Sequence, residues 1–423
     1  MTGELRSLPA ASNYRWLVMG LWLLSSVSGF MVIYTLGILL PVISDDLNLS
    51  PAEQGLLGSA SHWGNIALAI PLTLWTSRFG AKRLTTVTLA LATACLFVQG
   101  WSPVFAVLLF SRLAFGITII AQQPARAFLT QQWFQTREII MVNGLSNVLF
   151  GLVVGGGLLA SPFILSAFGD DWRSTFRAYG FLFGALTLLW LLLGKERPGT
   201  DRQKNSEKIG NSGEAGILRG GLARRDLWLC GFGFLGATMA FSAFVSFYPT
   251  LMLENHQVSL RWSGAILALG VLVGGLGGLG VGMTAARKSM EKHFLIVLGT
   301  LMAGTYVGML FTGSIPVLMV ISFFNGFSWA FFPILITVPF LLPGIKPREM
   351  AVALSFTIMV TSLGTSLGPL ITGFIQEATG DLRLSLLIIS FPPLSLLVSG
   401  LTIRFNQGDR QSTRTPGSPS PAA

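Results

Sequence analysis

Long stretches of this chain admit almost no charge, and that exclusion limits its fold more than any other feature. The sequence holds 28 Lys and Arg and 18 Asp and Glu. Twelve apolar segments can be drawn so that only Arg112 lies well inside one of them, every other charge falling in a loop, a tail or a segment end. The segments run 15–40, 53–77, 84–101, 103–124, 140–166, 174–194, 226–252, 262–286, 294–312, 315–342, 350–376 and 382–404. As helices rising about 1.5 Å per residue, most can cross the roughly 30 Å hydrocarbon core, where every backbone N–H and C=O must be satisfied internally. The expectation is an all-α membrane protein of twelve transmembrane helices. A mean hydropathy of +0.66 with 52% hydrophobic residues excludes a soluble domain.

The remaining basic residues set the orientation. With the N- and C-termini in the cytoplasm, 23 Lys and Arg fall on the inner side, and Arg173, Arg177, Arg261 and Arg383 fall outside. This is a positive-inside pattern, and it accounts for the net charge of +10 through loops lying beside anionic lipid. Basic residues scattered this way, without interleaved aromatics, give no nucleic-acid surface. The first apolar stretch, Tyr14 to Leu40, exceeds a signal-peptide core and lacks a small-residue cleavage site, so it reads as a retained helix. Cys95 and Cys230 both fall in spans, where they read as small buried side chains rather than as a disulfide or metal ligands. No cofactor or metal is expected.

The chain repeats at about half its length. Thr136-Arg137-Glu138-Ile139 matches Pro347-Arg348-Glu349-Met350 at an offset of 211, and Asp171 and Arg173 match Asp381 and Arg383 at 210. Pro41, Ser50 and Gly55 match Pro249, Ser259 and Gly264 at 208 to 209. One nearly constant offset at equivalent positions indicates two parallel six-helix bundles, residues 1–194 and 226–405. Residues 195–225, rich in Lys, Arg, Gly, Asn and Ser, read as a flexible cytoplasmic linker, and 406–423 as a disordered tail.

Local motifs then carry a resemblance. The loop Ser77-Arg78-Phe79-Gly80-Ala81-Lys82-Arg83 is similar to the signature turn of the major facilitator superfamily, in which Gly, three residues, Asp, Arg, any residue and Gly precede basic residues. Arg78, Gly80, Lys82 and Arg83 fit, while Thr73 and Ser77 replace the Gly and the Asp, so the family's gate carboxylate is missing. Arg112-Leu113-Ala114-Phe115-Gly116 resembles the family's Arg-x-x-x-Gly motif, and Trp172-Arg173-Ser174-Thr175-Phe176 its entry to span 6. The run Gly37 to Gly58 and the loop Trp133 to Glu138 resemble the cyanate-, oxalate- and small-anion porters of that superfamily. The resemblance covers residues 13–405 and implies a monomeric secondary transporter of the cytoplasmic (inner) membrane. Arg78, Gly80, Lys82 and Arg83, with the repeated pairs Arg137-Glu138 and Arg348-Glu349, are then candidates for its cytoplasmic gate.

In a parallel two-bundle fold the substrate sits near the midplane between the halves, so polar residues within spans are the candidate binding residues. A guanidinium such as that of Arg112 holds a carboxylate or similar planar anion through two parallel N–H bonds, a geometry Lys does not reproduce. Its bland alternative is donation to backbone carbonyls that pins helices together. Arg112, Gly116, Ile119 and Gln123 share one helix face. Ser59, His62 and Asn65 form a polar stripe in span 2, and His62, titrating near pH 6.5 when unperturbed, is the candidate for proton coupling, against a satisfied neutral imidazole. Tyr34, Asn143, Asn147, Tyr248, Asn325 and Trp329 complete the substrate-binding set; each could also be interhelical glue or an interfacial anchor. The glycines Gly270, Gly274, Gly278 and Gly282 of span 8, and Gly151 with Gly155 to Gly157 in span 5, read as packing ridges and not as a phosphate loop, which would need a preceding strand and Gly-Lys-Ser/Thr.

These features point to secondary active transport of a small organic or inorganic anion by alternating access. No carboxylate lies at mid-membrane to couple protons, and a cationic site repels cationic drugs. Efflux of a neutral or amphiphilic compound, drawing on 31 Phe and 11 Trp, is the alternative. A non-transporting sensor is more remote, and an intramembrane enzyme has no nucleophile–base pair or acid pair to work with.

Overall fold

The computed structural model describes residues 14–76, 79–134, 138–196, 224–288, 290–341 and 347–403, and there every regular element is helical. The elements are α1 (Tyr14–Leu47), α2 (Pro51–Thr76), α3 (Ala81–Gly100), α4 (Phe105–Trp133), α5 (Ile139–Ala167), α6 (Trp172–Leu193), α7 (Arg225–His256), α8 (Leu260–Lys288), α9 (Glu291–Met309), α10 (Ile315–Ser328), α11 (Phe331–Leu341), α12 (Pro347–Thr379), α13 (Leu382–Ile389) and α14 (Ser395–Thr402). Eleven spans among the described residues are long and apolar enough to cross a membrane. The sequence expectation of twelve counts α2 as well. Large apolar side chains such as Phe110, Phe181 and Leu192 stand exposed on these helices, a surface suited to lipid and not to water.

Two expected spans are interrupted. One candidate span, Ile315–Val338, breaks between α10 and α11 at Trp329 and Ala330. Another, Leu382–Thr402, breaks at a 3-10 turn, Pro392–Leu394, between α13 and α14, because two consecutive prolines remove two backbone donors. Elsewhere Pro41, Pro124, Pro162, Pro249 and Pro369 sit inside continuous helices, which membrane helices tolerate. Helix α4 shows the consequence most clearly. Its span was expected to end at residue 124, yet the helix continues to Trp133, so Arg126 joins Arg112 within a membrane helix and Arg112 is not the lone cation there.

The repeated residues play repeated roles. Gly169 and Gly380 adopt positive φ, +66° and +72°, the left-handed geometry glycine permits. Each directs the chain to an aspartate that caps the next helix. The Asp171 carboxylate accepts the Arg173 N–H of α6, and the Asp381 carboxylate accepts the Arg383 and Leu384 N–H groups of α13. Pro41 and Pro249 lie in α1 and α7.

The first six helices pack on one another through α2/α4, α3/α4, α3/α6 and α1/α5, and the later ones through α7/α12, α8/α10, α9/α14 and α7/α14. The two sets meet along α2/α12, α5/α8 and α1/α7. Glycine lets these pairs approach closely. A Cβ on Gly37 would stand 1.9 Å from the Val245 carbonyl, one on Gly373 2.4 Å from the Pro51 carbonyl, and one on Gly264 2.6 Å from the Leu158 carbonyl. At the face away from the chain termini, the Ala52 N–H at the start of α2 donates to the Glu377 carboxylate of α12 at 2.8 Å.

Candidate functional site

Arg112 projects from α4 toward α1 and is fully buried. Its Nη2 donates to the Ile33 carbonyl at 3.2 Å. Its Nε and Nη1 are enclosed with no hydrogen-bond partner, and none of the described residues forms an ion pair with it. The close seat of α4 on α2 comes from Gly116, where a Cβ would meet the Ser61 carbonyl at 2.0 Å, and the Ser61 hydroxyl donates to the Arg112 carbonyl at 3.4 Å. His62, the next residue on α2, is buried. Tyr34, adjacent to Ile33, lies with its ring 6.2 Å from the His62 ring. One position on each of α1, α2 and α4 therefore converges on a single buried spot.

An aromatic chain carries that spot across to the second set of helices. The Tyr34 ring meets Phe150 of α5 at 6.4 Å and Phe241 of α7 at 5.2 Å, and Phe241 meets Trp329, at the α10/α11 break, at 4.8 Å. Trp329 is thus joined to Tyr34 through Phe241. Phe150 and Phe241 were not among the expected residues, because nothing in the apolar pattern separates a phenylalanine facing a site from one facing lipid.

The other expected residues disperse. Gln123 donates to Ser26 of α1 at 3.3 Å, a link between helices of the first set. Asn325 donates to Thr305 of α9 at 2.9 Å. Tyr248 is buried on α7 with its hydroxyl unpartnered, its ring 6.0 Å from Phe244. Asn143 accepts from Arg126 Nη2 at 2.8 Å, and Asn147, one turn on, is exposed. Since Arg126 follows Arg112 by 14 residues, the two cations lie about 21 Å apart along α4. The candidate polar residues form two groups and not one.

Around the expected gate, Gly80 caps α3, the Lys82 N–H donates to Glu196 at 2.8 Å, and the Arg83 guanidinium lies 5.7 Å from the Phe79 ring. Glu138 pairs with Arg15 of α1 at 3.0 Å. Arg78 and Arg137 lie outside the described residues, as do residues 197–223 of the expected linker and the expected tail; Arg348 and Glu349 begin α12, their side chains outside the description. The described residues contain no His, Cys, Asp or Glu cluster able to hold a metal ion.

A family model described as Major Facilitator Superfamily matches residues 21–369. Among curated proteins, the chain is 24% identical to a probable galactarate/D-glucarate transporter of Escherichia coli (strain K12), over 87% of this chain and 90% of that protein. It is 25% identical to a nitrite extrusion protein of Bacillus subtilis (strain 168), over 95% and 98% respectively, and 23% identical to a hexuronate transporter of the same organism, over 90% and 92%. Among solved structures, a bacterial homologue of the human lysosomal transporter Spinster, in an inward-facing and unoccupied conformation, superposes with a TM-score of 0.74 at 18% identity, over 93% of this chain and 95% of that one.

Proposed function

The chain belongs to the major facilitator superfamily, and from that premise we propose that it is a secondary active transporter of small oxyanions, in the range from inorganic nitrite or nitrate to sugar acids. The two six-helix sets, residues 1–194 and 226–405, are its moving halves, joined by a linker over 195–225. They rock by alternating access in the cytoplasmic membrane, with both termini cytoplasmic and twelve passes. The carrying observation is the Arg112 guanidinium, fully buried yet bonded only through one nitrogen to a backbone carbonyl. A buried cation without an ionic partner is costly. An oxyanion would supply the acceptors missing at Nε and Nη1, and the second N–H of Nη2 beside either of them completes the parallel pair that matches a carboxylate or nitrate group. His62 and Tyr34 stand beside it to donate further hydrogen bonds, and the aromatic walls from Phe150 to Trp329 exclude water, which strengthens such bonds. The named relatives carry anions from nitrite to hexuronate, which supports the class.

Purified protein in liposomes is expected to take up labelled nitrate or galactarate saturably. Arg112→Ala should abolish that uptake, and Arg112→Lys should lower it at least tenfold, because an ammonium cannot offer two parallel donors. Equal uptake by wild type and both variants would overturn the reading.

A further inference from the structure

Helix α5 carries one stripe toward the second set of helices: Asn143, Asn147, Gly151, Gly155, Leu158 and Pro162, three or four residues apart. From Asn147 outward the stripe is packed. A Cβ on Gly275 of α8 would meet the Asn147 carbonyl at 3.0 Å, one on Gly155 would meet Leu272 at 2.8 Å, and Gly264 abuts Leu158 and Pro162. At its end toward the termini the same stripe carries two exposed residues, Asn143 and Asn147. Two exposed amides at the end of a membrane helix, in line with an interhelical seam, suit an aqueous mouth better than a lipid face. Arg126 of α4 reaches this place, with Nη2 donating to the Asn143 side-chain oxygen Oδ1 at 2.8 Å and to the Ser146 hydroxyl at 3.0 Å. Both of these partners are neutral, and among the described residues no carboxylate forms an ion pair with Arg126.

Resting on the anion reading above, we propose that Arg126, with Asn143 and Ser146, forms a second oxyanion-binding station at the terminal-face mouth of the gap between the two sets. It is separate from Arg112 and loads or unloads that site. A partly buried guanidinium held by neutral hydrogen bonds keeps its field for a passing anion. The intervening 14 residues, about 21 Å along α4, are more than one small anion spans, so the two cations act in sequence and not as one site.

The test uses the full chain in oriented liposomes, with nitrate and galactarate as probes. Arg126→Gln should raise the half-saturating concentration about tenfold for anion supplied at the terminal face and leave it nearly unchanged from the other face. Arg126→Lys should retain most of the wild-type value, and Asn143→Ala and Ser146→Ala, which keep the charge, should change it less than Arg126→Gln. In an Arg112→Ala background, nitrate should still raise the thermal unfolding midpoint, and adding Arg126→Gln should remove that shift. Equal half-saturation for Arg126→Gln and wild type at the terminal face overturns the station while leaving Arg112 as carrier. Failure of Lys to rescue, together with equal damage from the Asn143 and Ser146 variants, assigns Arg126 to a helix clamp and also overturns it. Absence of any anion transport by the wild type overturns instead the reading on which it rests.

Discussion

Asp171 gathers four groups at the head of α6. Its carboxylate accepts the Arg173 N–H at 2.9 Å and the Ser174 hydroxyl, and pairs with Arg177 at 3.2 Å. Partial burial raises its pKa, but hydrogen bonds from the Ser174 side chain and from the Arg173 and Ser174 backbone, with the Arg177 charge, outweigh that and hold it below the ordinary carboxylate value. A carboxyl depressed in the folded state adds stability above its ordinary pKa of 3.8, and that stability is lost as pH falls through the lower folded value. Asp171→Ala should therefore cost about 1 kcal/mol at neutral pH as a lost helix cap. Thermal unfolding against pH should show this deficit shrink as pH drops below the ordinary carboxylate range; a constant deficit would assign the loss to shape and not to charge. At this scale the sequence was uneven. Arg112 stood out because no other charge falls well inside one of the apolar runs of the sequence, and its buried setting follows from Gly116 and Ser61. Arg126 was hidden by Pro124, which ends the apolar run but not the helix, since a membrane helix accommodates the missing donor.

The helices meet where side chains vanish. Between α5 and α8, Gly151, Gly155, Gly264 and Gly275 let backbones touch, whereas a Cβ at Gly156, one residue along, has nothing within 4 Å. Gly275→Leu should destabilise the protein by about 1–3 kcal/mol through overpacking and suppress transport, while Gly156→Leu should leave both near wild type in unfolding and liposome assays. The sequence marked a ridge at Gly270 and Gly274, and these do face Ser322 and Trp329 of the neighbouring span. The residues that join the two sets, Gly264 and Gly275, lie off that ridge, because a four-residue glycine spacing signals close packing without naming the partner. The breaks at Trp329 and at Pro392–Pro393 were likewise invisible to hydropathy, which averages over a span and does not register one lost turn.

Across the whole molecule, the repeated turn was the most legible feature, since offsets of 211 and 210 carried Gly169 onto Gly380 as left-handed glycines and Asp171 onto Asp381 as helix caps. The way the sets engage was not legible, because it depends on which glycine faces which carbonyl. Among the described residues, contacts between them run from Glu377 on the head of α2 and Gly37 against Val245 to Gly275 against Asn147, and Asn143 is exposed. Under the alternating cycle proposed above, an uncompensated Arg112 weighs on the return leg: with no passenger, the bare guanidinium would be carried through the low-dielectric seal, whereas a bound oxyanion would neutralise it for the same journey. Traffic in both directions should then run faster than traffic in one. Vesicles preloaded with unlabelled galactarate are expected to draw in label several-fold faster than empty ones, and the counterflow advantage should disappear in Arg112→Ala.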